Sequence, residues 1–241
     1  MEIRVYDTKE QCGKAAAAII AAQLLRKPAS VLGLATGSTP IPCYQELVRL
    51  YEEGVLDFSK AVSYNLDEYV GLPADHVCSY HHFMRVNLFD HVNIRLDATH
   101  VPSGTAGDIH EEGAAYDAAI AAAGGIDIQV LGIGRNGHIG FNEPADSFTK
   151  GCHLVQLTDS TIDANTRFFN SRDEVPKQAI TMGIGSIMAA KTVLLMATGA
   201  DKAWAINATV NGELTPAVPA SVLQTHHDVI LILDKAAASL L

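Results

Sequence analysis

His138 and Glu143 stand five positions apart in a run dense in glycine, Gly132-Ile133-Gly134-Arg135-Asn136-Gly137-His138-Ile139-Gly140-Phe141-Asn142-Glu143-Pro144. A neutral imidazole shuttles protons near pH 7, and a carboxylate beside it fixes its tautomer and strengthens it as a base. A second acid–base candidate is Asp67-Glu68, placed where the apolar run Ala61–Leu66 ends. A strand gains nothing from a carboxylate there, whereas partial burial would lift its pKa toward that of a useful base. A helix-capping Asp is the alternative reading, and either acid could face a cleft.

The turn Thr36-Gly37-Ser38-Thr39, before Pro40, has the makings of an anion site. Glycine admits a ligand close to the backbone, the following helix offers free N–H groups, and the hydroxyls add donors suited to phosphate oxygens. A capped turn without a ligand is the competing reading. The Gly-Lys-Ser/Thr ending of a nucleotide-binding P-loop is missing. Two cations are candidate partners for such an anion. Arg167 lies in the polar stretch Asp163–Phe169, and Lys202 falls in the first turn of a helix expected from Asp201, where a positive charge opposes the helix dipole unless an anion is near.

Other chemistries are disfavoured. Gly132–Gly137 matches the Gly-x-Gly-x-x-Gly pattern, but its strand is internal to the chain and no helix opening follows, so a glycine turn feeding a cleft is the better reading than a dinucleotide site. The pairs His81-His82 and His226-His227 are adjacent rather than spaced i, i+4, and no cysteine cluster exists, so no metal or other cofactor is expected. A net charge of −10 with no basic run argues against nucleic acid and anionic membranes as partners. The four cysteines are widely spaced, and the N-terminus lacks a signal-peptide pattern; reduced thiols in a cytoplasmic protein are expected.

These residues need a scaffold that brings them together. Short aliphatic or β-branched runs at Val31–Ala35, Ala61–Leu66, Ile126–Ile133, Thr192–Ala197 and Val229–Leu233 read as strands, and the N-terminus alternates like one. Between them Lys9–Leu25, Pro40–Glu53, Tyr80–Phe89, Ile109–Ala123, Asp201–Val210 and Ala220–Gln224 read as helices. Apolar strands alternating with helices predict a single α/β domain over 1–241, a three-layer α/β/α fold with a doubly wound, mostly parallel sheet. Ligands of such sheets bind beyond the carboxyl ends of the strands. The segments after four of the strands (Thr36–Pro40, Asp67–Tyr69, Gly134–His138 and Thr198–Lys202) should therefore open onto one edge.

On these segments the chain resembles the glucosamine-6-phosphate deaminase family. The resemblance is carried by Ala35–Pro40, Asn65–Leu72, Gly134–Pro144, Asn165-Thr166-Arg167-Phe168-Phe169, and Val175-Pro176-Lys177 followed by Ala179-Ile180-Thr181. It implies conversion of glucosamine 6-phosphate and water to fructose 6-phosphate and ammonia. Asp67 would then carry a proton between C2 and C1, while His138, supported by Glu143, opens the sugar ring. The Thr36, Gly37, Ser38 and Thr39 turn would clamp the 6-phosphate with Arg167 and Lys202. Asn136 occupies a position where some members carry Asp. The chain ends soon after Val229–Leu233, as in the non-allosteric, often monomeric branch, so a monomer is expected rather than a hexamer.

Two alternatives share the fold. A 6-phosphogluconolactonase hydrolyses a lactone and needs no isomerisation base, so Asp67-Glu68-Tyr69 argues against it. A sugar-phosphate-sensing regulatory domain would bring a DNA-binding segment, and the chain shows no such region or basic face.

Overall fold

The computed structural model describes all residues, 1–241. In chain order the elements are β1 (Glu2–Tyr6), α1 (Lys9–Arg26), β2 (Val31–Leu34), α2 (Ile41–Glu52), β3 (Val62–Asn65), β4 (Asp67–Tyr69), α3 (Tyr80–Asn87), β5 (Thr99–His100), α4 (Ile109–Ala122), β6 (Ile128–Leu131), β7 (His153–Gln156), α5 (Asp159–Asn165), β8 (Gln178–Thr181), α6 (Ile184–Met188), β9 (Thr192–Ala197), α7 (Ala203–Asn211) and β10 (Val229–Asp234).

Seven parallel strands form the main sheet in the order β1-β10-β9-β6-β2-β3-β5. Every residue of β2 and β6 is buried, as strands covered on both faces must be. From β2 the chain moves through β3 to β5, then crosses to the other side of β2 for β6 and continues to β9 and β10. The winding thus reverses between β2 and β6. At such a switch point the loops leaving the two strands diverge and open a crevice at their carboxyl ends. Those loops are Thr36–Thr39 and Gly132–His138. A core of 48 buried residues holds the sheet to its helices, with the small side chains Ala16, Ala17 and Ala21 of α1 among them.

A second sheet was not foreseen. Strands β4, β8 and β7 pair antiparallel, with Asp67 opposite Thr181 and Tyr69 opposite Ala179. It shelters a small satellite core that includes Tyr69, Phe141, Leu157, Ile162 and Val175. Asp67-Glu68-Tyr69 is therefore a strand and not a loop. These strands are short, and they join segments far apart in sequence, so local periodicity carries little sign of them.

The expected strands and helices appear, Thr192–Ala197 as expected and most others with ends moved by a few residues. Ile126–Ile133 shortens to β6, and Gly132-Ile133 unrolls into the crevice. Ala220–Gln224 falls within a 3-10 helix, Pro219–Thr225. The helix expected from Asp201 begins at Ala203 after a 3-10 turn over Ala200–Lys202, so Lys202 caps α7 rather than lying in its first turn. No helix is long and apolar enough to cross a membrane.

Candidate active site

The crevice is a cavity of about 430 Å³ at the carboxyl ends of the strands, and all four expected segments contribute to it. Thr36, Gly37, Ser38, Thr39, Asp67, Asn136, His138, Arg167 and Lys202 line it. Glu143, the remaining sequence candidate, is not on the wall but stands behind Asn136 and His138.

One end brings a hydroxyl-rich turn together with cationic side chains. The Thr36–Thr39 turn runs into α2, and Arg167 donates from Nη2 to Ser38 Oγ at 3.3 Å. Lys202 is mostly buried, and its pKa is lowered first by that burial. Arg135 and Arg167 push the same way, against the opposing charge of Asp201. Arg135 had no role assigned from sequence; it lines the cavity, and its Nε meets Asp201 Oδ2 at 2.9 Å. Arg135, Arg167 and Lys202 share the cavity with Asp67, Asp163 and Asp201, and Asp201 pairs with both Arg135 and Lys202, which leaves Arg167 beside the Thr36–Thr39 turn as a cation whose side chain meets a hydroxyl and not an acid.

Asp67 and Glu68 separate cleanly. Glu68 is 1% exposed and accepts the backbone N–H groups of Tyr69, Tyr80 and His81, placing its charge at the start of α3. That network consumes Glu68 and fixes α3, with Tyr80 at its first position, against β4. Asp67 faces the cavity. Burial, reinforced by the charge of Glu68, raises its pKa to about 8. The chain passes close to it at Gly140, whose φ of 57° lies in the left-handed region. A side chain there would come 2.9 Å from Thr181 Oγ1 and 3.6 Å from Asp67 Oδ2. Thr181 Oγ1 in turn accepts the Phe141 N–H at 3.0 Å, which lays the loop onto β8.

Beside Asp67, His138 Nδ1 stands 3.3 Å from Glu143 Oε2 but off the line of a hydrogen bond. Glu143 thus lies against the ring without a hydrogen bond to it, and Asn136 connects the two residues. Asn136 Oδ1 accepts the backbone N–H of His138 at 3.2 Å, and its Nδ2 donates to Glu143 Oε2 at 2.7 Å. Asn136 thus acts on the backbone of His138 and on its partner acid, not on the ring. Burial pushes the Glu143 carboxyl upward, but His138, Thr161 and Asn136 together outweigh it and hold the pKa at about 2. The imidazole lies over Gly134, where a Cβ would fall 2.3 Å from the ring. Glycine at this position makes room for the histidine.

Sequence reasoning also passed over Tyr80 and Thr161, which both line the cavity. Tyr80 stacks on Phe141, with ring centroids 6.1 Å apart. Thr161 hydrogen-bonds Glu143. The one available signal for Thr161 was the hydroxyl-rich run Thr158-Asp159-Ser160-Thr161 upstream of Arg167. No cluster of three His, Cys, Asp or Glu side chains converges as a metal site. Both ring nitrogens of His226 are occupied by backbone groups, of Ala190 and Asp228.

Known proteins share this arrangement of chain. The model of the family described as glucosamine-6-phosphate isomerases/6-phosphogluconolactonase matches residues 6–232. A glucosamine-6-phosphate deaminase of Clostridioides difficile (strain 630) is 55% identical over 239 residues, covering 99% of this chain and 96% of its own. That of Alkaliphilus oremlandii (strain OhILAs) is 53% identical over 241 residues, the whole of both chains. A solved structure described as a monomeric glucosamine-6-phosphate deaminase superposes with a TM-score of 0.98 at 43% identity, covering 100% of both chains. The 6-phosphogluconolactonase of Trypanosoma brucei superposes with a TM-score of 0.79 at 21% identity, covering 99% of this chain and 97% of its own, a likeness of fold. With a family model spanning most of its length and relatives above half identity, the chain belongs to the glucosamine-6-phosphate isomerase/6-phosphogluconolactonase family.

Proposed function

We propose that this chain is a glucosamine-6-phosphate deaminase: over 1–241, as one catalytic domain, it converts glucosamine 6-phosphate and water to fructose 6-phosphate and ammonia. The observation that carries the reading is the presence of two distinct proton-transfer groups in one cavity beside a cationic end. Asp67 and His138 both line it, together with Arg167 and Lys202.

Each group has a task. The 6-phosphate sits at the Thr36–Thr39 turn, where backbone N–H groups, hydroxyls, Arg167 and Lys202 offset its charge. That anchor fixes the sugar for both chemical steps. His138, set against the ionised Glu143, moves the proton between the anomeric hydroxyl and the ring oxygen, and the pyranose opens to the aldehyde. Asp67 in its carboxylate form takes the proton from C2 and returns it to C1. With a second proton passing from the nitrogen to O1, the aldehyde becomes an alcohol and the carbon bearing nitrogen becomes an imine. Water adds to that imine, and ammonia leaves. Nothing is oxidised overall, and one water is consumed per ammonia released.

A lactonase needs a water-activating base and no carrier between adjacent carbons, so a buried Asp67 at the cavity would have no task in it. We further propose that the chain works in the cytoplasm, and that it does so as a monomer, since a solved glucosamine-6-phosphate deaminase that matches it over its full length is described as monomeric.

The test is direct. Purified protein, with no metal added, is mixed with glucosamine 6-phosphate, and ammonia and fructose 6-phosphate are measured. Equal amounts of the two are expected. Absence of both would sink the reading, and hydrolysis of 6-phosphogluconolactone in their place would install the lactonase.

A further inference from the structure

Glu143 has two oxygens, and they are held from different directions. Oε2 receives Asn136 Nδ2 and faces His138. Oε1 accepts a short hydrogen bond from the Thr161 hydroxyl, with Thr158 Oγ1 3.1 Å from the same oxygen. Thr161 is 3% exposed, a buried hydroxyl on α5.

The same short element reaches the anion end. Helix α5 continues directly into the 3-10 turn Thr166–Phe168, and the Thr166 hydroxyl donates back to the Ile162 carbonyl at 2.9 Å, joining the two. Arg167 lies on that turn and donates to Ser38. Ile162 packs into the satellite core and seats the helix. Arg167 and Thr161 thus lie six residues apart on one continuous hydrogen-bonded stretch of helix and 3-10 turn.

We propose that Thr161 is a positioning residue that links the anion site to the His138–Glu143 pair. When an anion holds Arg167 against the Thr36–Thr39 turn, α5 is seated so that Thr161 donates to Glu143 Oε1 and Oε2 is turned toward His138. The kinetic consequence rests on the deaminase reading given above; the structural link does not.

Thr161→Val keeps the shape and removes the hydroxyl, whereas Thr161→Ser keeps the hydroxyl. If Thr161 serves through its hydrogen bond, kcat for glucosamine 6-phosphate falls about 10-fold in Thr161→Val with KM within about 2-fold, and Thr161→Ser stays within about 3-fold of the parent. A role in packing alone predicts the reverse order of the two variants, and that result overturns the proposal. The link itself is read without turnover. Inorganic phosphate is added to the sugar-free protein while the ring proton resonance of His138, assigned with His138→Asn, is followed by NMR. The resonance should move in the parent and in Thr161→Ser, and it should stay still in Thr161→Val. An unchanged phosphate response in Thr161→Val also overturns the proposal. Should Val perturb the fold, Thr161→Ala supplies the same comparison. Failure of the parent to turn over the amino sugar would defeat the deaminase reading, and the phosphate titration would still decide the link.

Discussion

Asp67 and Glu68 are adjacent buried carboxylates that one short strand sends in opposite directions: Glu68 to the N–H groups at the start of α3, Asp67 to the cavity. The alternation of a strand makes this division unavoidable, since successive side chains leave on opposite faces. It also assigns the labour. Glu68 anchors a helix, and its charge helps burial to hold the proton on its neighbour.

Asp67→Asn should lower turnover of glucosamine 6-phosphate by at least about 100-fold while the sugar phosphate still binds, the usual scale for loss of a general base. The same variant should be more stable than the parent at neutral pH. The folded Asp67, with its pKa raised to about 8, keeps a proton that the unfolded chain has released by about pH 5. Its contribution to stability is whole below about pH 4 and is lost as pH rises through about 8. Calorimetry at a series of pH values should show the variant equal to the parent near pH 4 and ahead of it at pH 8, by on the order of 5 kcal/mol at about 1.4 kcal/mol per unit of pKa difference. A constant gap across that range would show that Asp67 has an ordinary pKa.

Asn136→Asp removes the Nδ2 donor and sets a second carboxylate against Glu143. Like charges at contact distance cannot both stay ionised cheaply, so the pair must take up a proton at higher pH than Glu143 alone. The acid titration of the pair, followed by NMR of the Glu143 side-chain carboxyl carbon, should move up by about one pH unit from that of the parent. An unmoved titration would mean that the acid at 136 finds another partner.

Gly134→Ala places a methyl group where the His138 ring lies, 2.3 Å from its nearest carbon. The imidazole must shift, and displacement of a reacting group by an ångström costs about 100-fold in rate. The expected result is a kcat reduced on that scale with phosphate affinity kept. A fall in affinity with kcat unaltered would show that His138 does not take part in the chemistry.

Arg167→Ala should act chiefly on KM, raising it about 10-fold or more, and the rise should shrink as salt is added, because much of the lost interaction is between charges at a partly open cleft. Titration with substrate at two ionic strengths checks both parts. A KM that does not move would remove Arg167 from the anion site.

Much of this was legible in the chain before its structure. The runs that became β2, β3, β6, β9 and β10 are mostly apolar, and the polar segments that follow β2, β3, β6 and β9 could be placed at one edge of a sheet by that pattern. Asp67, His138 and the Thr36–Thr39 turn were found in this way. What escaped is what depends on distant partners. Strands β7 and β8 are recognisable once paired, but alone they are four residues each with no distinctive period. Arg135 sits in the most conspicuous motif of the chain, yet its task depends on Asp201, brought beside it only by the adjacency of β6 and β9. Thr161 was one hydroxyl among several until the fold set it against Glu143.

The antiparallel pairing of β4 with β8 governs the order in which activity can arise during synthesis. The anion turn needs only β2 and α2, which leave the ribosome early. Asp67 is made soon afterwards but has no strand to lie against until Gln178–Thr181 has emerged, and its neighbour β7 arrives only shortly before. A nascent or truncated chain that stops ahead of Gln178 would therefore hold the makings of an anion turn while its future base remained an ordinary solvated aspartate. Contacts so remote in sequence form late and slowly. In this protein the cavity-facing Asp67 gains its strand partner only once Gln178–Thr181 has been made, more than a hundred residues after Asp67 itself.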